Sequence, residues 1–515
     1  MKFKTLVPDL KAGLVVFLVA LPLCLGIALA QNVPMFSGII AGIVGGIVVA
    51  AISGSRLSVS GPAAGLTSIV LTSLMTLGSF ETFLLALCIA GLIQILLGVL
   101  KAGIVGYYFP TAVIKGMLAA IGIILILKQI PHLFGYDKDT EGDETFVQSD
   151  GENSFTELAQ MLQDISPGAT ITGIVCLALM FLWQSPAFKR NKITGQIPGA
   201  LLVVIVGIVL NLTLVGFNAD WIIQAEHLVN LPDFSSVSDF FASFTQPNFA
   251  ALNNPKVYEI AFVIAIVASL ETLLSIEAVD KIDPDNQISP TNRELVAQGT
   301  GNLLCGLIGG IPITSVIVRS SVNVSAGAKT QWSSIVHGLL FFVAIFLIPG
   351  LLEMIPLSAL AAILIVTGAN LAKPALFRNT FKQGLDQFLP FIITIVVMLL
   401  TDLLKGVSAG IVISVFFILK QTYKSPFKLI KEDINGQTNV FMKLSQNVTF
   451  INKGKFIDVL KSVPENSAVY IDGGRSVFID KDVLEIISSF KKSAHLKNIK
   501  VHLEEIPEVD IYDSH

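Results

Sequence analysis

Charge is scarce in this chain: 14% of its 515 residues are Asp, Glu, Lys or Arg, against 53% hydrophobic residues. A soluble protein cannot cover its surface from that ratio. Cysteine is scarce too, and Cys24, Cys88, Cys176 and Cys305 each sit inside an apolar stretch without paired spacing, which excludes a disulfide frame. The six histidines are scattered, leaving no zinc spacing and no metal site. A basic surplus is absent, since the formal net charge is -4 and the pI about 5.9, so nucleic acid is not a partner. Neither a nucleophile with its base nor a pair of acids falls at one membrane depth, which argues against an enzyme and calls for no cofactor. Ser325 to Thr330 has the Lys-Thr of a phosphate loop but lacks the upstream glycine and the strand-loop-helix context, so ATP-driven pumping is excluded.

What the chain has instead is a succession of apolar blocks, each long enough as a helix to cross a ~30 Å hydrocarbon core. They predict helices at residues 10–30, 36–53, 62–77, 80–100, 110–130, 168–183 and 197–216. A second set of seven follows at 257–280, 294–311, 315–326, 332–350, 356–370, 386–404 and 406–422. The transmembrane domain is residues 1–425, with repeats at about 1–216 and 256–425 and polar loops at 131–167 and 217–255. The first block, ending Ala28-Leu29-Ala30, has the outline of a signal peptide but reads as a retained helix because so many spans follow.

Orientation follows from the basic residues: Lys2, Lys4, Arg56, Lys189, Arg190, Lys192, Lys373, Arg378, Lys382, Lys420 and Lys424 fall on one side of the count, which marks the cytoplasm. The acidic residues Asp137, Asp139, Glu141, Asp143, Glu144, Asp150 and Glu152 fall on the other. Both termini are then cytoplasmic, in a multi-pass membrane protein. Gly38, Gly42 and Gly46 predict close helix packing. From Gln437 to His515 the composition turns soluble, with strand patterns at Val440–Met442, Val448–Phe450, Val469–Ile471 and Ile499–Leu503 and a helix at Lys481–Phe490, a small α/β module.

Two blocks are interrupted. Ser58-Val59-Ser60-Gly61-Pro62-Ala63-Ala64 and Gly309-Gly310-Ile311-Pro312-Ile313-Thr314-Ser315 each place glycine and proline around an extended run before a short helix, at the third position of each half. Matching broken segments are the pointer to an inverted-repeat transporter whose half-helices meet at mid-membrane. Pro62 suits the first helical turn. Two facing helix N-termini supply ~1 unit of positive potential, which favours an anion. Arg319, in the first turn of the second half-helix, adds to it. Glu271, in mid-helix of the eighth segment, is a candidate partner for Arg319 and a candidate proton-coupling group.

These residues resemble the SulP (sulfate permease) family over nearly the whole chain. The resemblance is carried by Asp9-Leu10-Lys11-Ala12-Gly13-Leu14 with Leu21-Pro22, Val59-Ser60-Gly61-Pro62, Tyr108-Phe109-Pro110 with Val113-Ile114-Lys115-Gly116, and Arg319-Ser320-Ser321-Val322-Asn323 with Ala326 to Thr330. It implies an all-α polytopic membrane protein with 14 transmembrane segments in a 7+7 inverted repeat like the uracil permeases, core and gate domains, alternating access and a homodimer in the bilayer. On this mapping a small inorganic anion, bicarbonate or sulfate, lies between the Gly61 and Ser315 helix starts, among Pro22, Leu23, Gly61, Pro62, Ala63, Ala64, Ser315, Val316 and Arg319. Glu271 and Ser275 face it as coupling residues.

Sodium-coupled bicarbonate members carry Asp, Thr and Thr where this chain has Glu271, Ser275 and Ile317, so a proton is preferred to sodium as coupling ion. Leu23 replaces a Gln common in the family. The wording Val19 to Gly26 is similar to a bacterial branch often associated with carbonic anhydrase. The tail resembles a STAS domain, with Lys481 where phosphorylated relatives carry serine. An anion exchanger or dicarboxylate transporter of the same fold is the alternative. A nucleobase permease, which would want carboxylates rather than Arg319, and an anion channel rank below it.

Overall fold

Fourteen helices stand where the apolar blocks predict them. The computed structural model describes residues 3–138, 153–185, 188, 197–214, 221–231, 241–424, 426–434 and 437–507. The first seven helices are α1 (Phe3–Ala30), α2 (Met35–Ile52), α3 (Ala64–Leu77), α4 (Phe80–Val99), α5 (Thr111–Leu133), α6 (Pro167–Gln184) and α7 (Gly199–Leu214). The second seven are α8 (Pro255–Ile282), α9 (Thr291–Ile308), α10 (Ile317–Ser325), α11 (Trp332–Leu347), α12 (Leu357–Leu371), α13 (Leu385–Leu400) and α14 (Leu403–Lys424). The basic Lys2, Lys189, Arg190 and Lys192 and the acidic run Asp139 to Glu152 lie outside the described residues.

Packing sorts the helices into two groups. α4 lies along α9 and α8, and α1 along α11 and α2; α5 lies along α12 and α13, and α6 along α12 and α7. Close approach follows from small residues: a Cβ on Gly38 would fall 2.0 Å from Cys24 O, and one on Gly46 2.6 Å from Gly338 Cα. The glycine spacing in α2 is therefore a packing device. All four cysteines are free and buried.

Two stretches far apart in sequence close on each other. Asp9 is fully buried and takes the backbone N–H groups of Lys329 and Thr330 at 2.7 and 3.0 Å and the Thr330 hydroxyl at 2.5 Å. The loop after α10 is thereby pinned to the start of α1.

At the ends of α5 and of the described part of the 217–255 loop, a buried carboxylate joins three segments. Asp137 accepts from His132 Nδ1 at 2.5 Å and from His227 Nδ1 at 2.6 Å. His227 belongs to a stretch that bridges, through Leu228, to Pro356 at the start of α12. Lys128 and Glu157, both nearly inaccessible, form a second buried pair at 3.3 Å. Burial alone would push the Asp137 carboxyl up, but the two histidines outweigh it and hold it below the usual value, while the hydrogen bond to Asp137 raises His227.

The chain divides into Met1–Ile411 and Val412–His515. The second unit has a four-stranded sheet in the order β3 (Phe427–Ile434), β4 (Gln437–Leu444), β6 (Ala468–Asp472), β8 (Lys500–Glu504). A two-residue pair, β5 (Asn447–Val448) and β7 (Phe478–Ile479), stands beside it. Helices α15 (Lys453–Lys461) and α16 (Lys481–Ser493) bury Phe456, Leu460, Val483 and Ile487 against Val440, Met442, Val469 and Ile471. The strand β3 starts ahead of Gln437, where composition first turns soluble. This unit fits the small α/β STAS-like module expected.

Candidate functional site

The site grows from two three-residue strands. β1 (Ser60–Pro62) and β2 (Ile313–Ser315) pair antiparallel in the register Ser60–Ser315, Gly61–Thr314, Pro62–Ile313. Each strand runs straight into a short helix, so antiparallel pairing points the N-termini of α3 and α10 back at the crossing from opposite sides. Those ends carry unpaired N–H groups and about half a positive charge each. α10 has nine residues, roughly half of what spans a bilayer.

One expectation is corrected here. Gly61 and Ser315 lie within the strands, not at helix starts, and Pro62 is a strand residue rather than part of a first helical turn. Ala63 is still extended at φ -107°, ψ 120°, and Val316 at φ -114°, ψ 119°. The reason is hydrogen bonding. Val316 N donates to Val59 O at 2.9 Å, so by alternation the Pro62–Ile313 pair turns its backbone groups outward, where a missing proline N–H costs nothing.

Those outward groups are held by polar side chains of α9. Asn302 accepts from Ile313 N at 2.7 Å and donates to Ile313 O at 3.0 Å and to Gln94 Oε1 at 2.7 Å. Gln298 donates to Ser60 Oγ at 2.6 Å and to Glu294 Oε1 at 2.9 Å, and Ser53 donates to Glu294 Oε2. From α8, Thr272 Oγ1 accepts from Ser315 N at 3.3 Å. Across the crossing, Ser58 and Ser315 hydroxyls meet at 2.6 Å, and Asn323 donates to Leu57 O at 2.9 Å. Each buried polar group so paired escapes a penalty of ~1–3 kcal/mol.

Arg319 is fully buried, which rules out a snorkelling side chain. Its Nη2 reaches Pro62 O at 3.4 Å, and its Nε and Nη1 make no hydrogen bond to the protein. The Nη1 end of the guanidinium packs against β1 because residue 61 is glycine: a Cβ there would stand 2.0 Å from Nη1. Residue 65 makes room in the same way for Glu271, since a Cβ on Gly65 would stand 2.8 Å from Oε1. The Glu271 carboxylate thus rests on the first turn of α3.

These groups meet at a cavity of about 30 Å³ lined by Leu23, Ala64, Glu271, Ser275, Val316 and Arg319, with Ile27, Ile121, Ile317, Val318 and Leu403 completing the wall. Six of the eleven site residues expected from sequence are therefore on one wall. Gly61, Pro62, Ala63 and Ser315 build the crossing behind it, and Pro22 is buried in α1 beside Leu23. A larger cavity of about 640 Å³ opens between α1 and α10 on one side and α6, α7 and α12 on the other. Lys11 and Lys373 are the charged residues among its lining, which also includes Trp183, Ser321 and Asn370.

Sequence reading missed the α9 scaffold. Its signal was present: Glu294, Gln298 and Asn302 recur every four residues, a polar stripe on a helix otherwise apolar enough to be read as a span.

The sulfate permease family pattern matches residues 6–396. The chain belongs to that family. Among its relatives, the protein YvdB of Bacillus subtilis, named as a sulfate transporter, is 28% identical over 80% of this chain and 73% of its own length. The bicarbonate transporter BicA of Picosynechococcus is 25% identical over 80% of this chain and 70% of its own length. Murine solute carrier 26 family member A9, solved as an anion transporter in the inward-facing state, superposes with a TM-score of 0.69 at 15% identity, covering 98% of this chain and 86% of that one. As a member of the family the chain is a multi-pass membrane protein of transporter type, with the helix order and crossed strands described above.

Proposed function

We propose that this protein is a secondary active transporter of a small inorganic anion, bicarbonate or sulfate, working by alternating access as a homodimer in a bacterial inner membrane with both termini cytoplasmic. The observation that carries this reading is Arg319, wholly buried beside Cys24, with Nε and Nη1 making no hydrogen bond, at the meeting point of two helix N-termini. All three features attract negative charge.

The wide cavity beside Lys11 and Lys373 is the cytoplasmic approach. An anion entering it passes the Ser321–Ala326 end of α10, settles between Val316, Ala64 and Arg319, and is released on the other side when the α5–α7 and α12–α13 group moves against the rest. Glu271 sits on the α3 end that the anion needs. Its negative charge opposes anion entry until it takes up a proton, so anion and proton travel together. Sodium is disfavoured because Ile317 offers no side-chain oxygen where a compact cation cage would need one.

Binding tests this directly. Titration of sulfate and of bicarbonate into the purified full-length chain should give saturable binding that tightens as pH falls. In Glu271→Gln it should be tight and nearly independent of pH. Binding that weakens on acidification, or that is untouched by Arg319→Ala, overturns the reading.

A further inference from the structure

The C-terminal unit carries a sheet face that its helices leave open. Leu429, Met442, Ile471 and Leu503 point from the four strands into the helix-covered core. Their sequence neighbours point the other way, and the registers align those into rows crossing β3, β4, β6 and β8 in order. One row reads Lys428, Lys443, Asp472, Glu504. The next reads Ile430, Phe441, Tyr470, His502. A third runs from Glu432 on β3 to Lys500 on β8.

The middle row is apolar and stacked. Phe441 and Tyr470 rings lie 4.9 Å apart, Tyr470 and His502 rings 4.6 Å apart. Ile430 is 41% exposed and Tyr470 36%. In the row above it, positive charge occupies β3 and β4 and negative charge β6 and β8. In the row below, the signs at the two edges are reversed.

We propose that this open sheet face binds the same face of a second copy of the chain, about a two-fold axis parallel to the strands and between β4 and β6. This rests on the homodimer proposed above and names the surface. Such an axis reverses strand order, so β3 of one copy meets β8 of the other and β4 meets β6. Lys428 then faces Glu504, Lys443 faces Asp472, Glu432 faces Lys500, and Phe441 stacks on Tyr470, each twice. Every charge in these rows meets its opposite. Within one copy Lys443 and Asp472 already pair at 3.3 Å, so pairing across the axis makes them a four-membered network. An axis perpendicular to the strands would instead set Lys443 opposite the neutral Asn439.

The face is roughly 300 Å² per copy by strand spacing, below what holds two free proteins together. In a membrane homodimer the two sheets share one small volume at roughly millimolar effective concentration, where a weak complementary face suffices.

The test uses full-length chains in membranes. One tagged chain carries Ile430→Cys, a differently tagged chain carries His502→Cys, and a short bismaleimide links thiols within reach. The mixed pair should crosslink at least tenfold more than either variant alone. Reversing Lys428→Glu and Lys443→Glu in both chains should remove the crosslink. Leaving that pair on the Ile430→Cys chain and placing Asp472→Lys and Glu504→Lys on the His502→Cys chain should restore it. A crosslink from Ile430→Cys alone equal to that of the mixed pair, or a mixed yield unmoved by charge reversal, overturns the proposal. Light scattering on the same full-length chain separates the premises. A monomeric mass removes the homodimer and this face together, whereas a dimeric mass without the mixed crosslink removes the face alone.

Discussion

Arg319 works only if residue 61 has no side chain. A Cβ at Gly61 would collide with Nη1 at 2.0 Å, so Gly61→Ala displaces the guanidinium while leaving its charge in place. We expect Gly61→Ala to weaken anion binding by roughly tenfold. Arg319→Ala should weaken it by at least ~100-fold, since two hydrogen bonds to a charged ligand are worth about 3–6 kcal/mol. Anion titration with each variant checks both, and Gly61→Ala binding as wild type would mean that the anion does not contact this guanidinium. Gly65→Ala, 2.8 Å from Glu271 Oε1, should instead shift the pH dependence of binding, read from the same titration at several pH values.

At the scale of elements, α9 and the crossed strands stand or fall together. Asn302 bonds both backbone groups of Ile313 and also Gln94. Asn302→Leu keeps the volume but strands three buried polar groups, each costing ~1–3 kcal/mol. Thermal unfolding in detergent should show the largest loss of any α9 substitution, whereas exposed Leu307→Ala should change it little. Eight of the described helices were legible because their apolar blocks are long enough to be spans, and the broken third and tenth segments because glycine and proline mark them. Residues such as Asn302, Thr272 and Asp9 were not, because their partners lie far along the chain and only the folded crossing brings them together. The strand character of Gly61 and Ser315 was hidden for the same reason: it depends on pairing between segments some 250 residues apart. In the tail, α15 escaped notice because its apolar face is only Phe456, Val459 and Leu460 among lysines.

Across the whole molecule, the α5, 221–231 and α12 segments are tied through Asp137. The sign of its pH dependence follows from two shifts. Asp137, held below its usual 3.8, contributes stability above that pH and loses it as pH falls through the lowered value. His227, raised above 6.5, contributes fully below 6.5 and loses its part as pH rises through the raised value. The tie is strongest between about pH 4 and 6.5. The difference in unfolding temperature between wild type and Asp137→Asn should be greatest in that window and shrink toward alkaline pH; a difference that grows with pH would contradict the assignment.

Transport is the central claim, and uptake of labelled sulfate and bicarbonate into proteoliposomes under imposed proton or sodium gradients tests it most directly. We predict saturable uptake of one of these anions that an inward proton gradient drives and a sodium gradient does not, abolished in Arg319→Ala and uncoupled from the proton gradient in Glu271→Gln. Uptake that persists unchanged in Arg319→Ala, or no uptake of either anion under any gradient, would contradict the account.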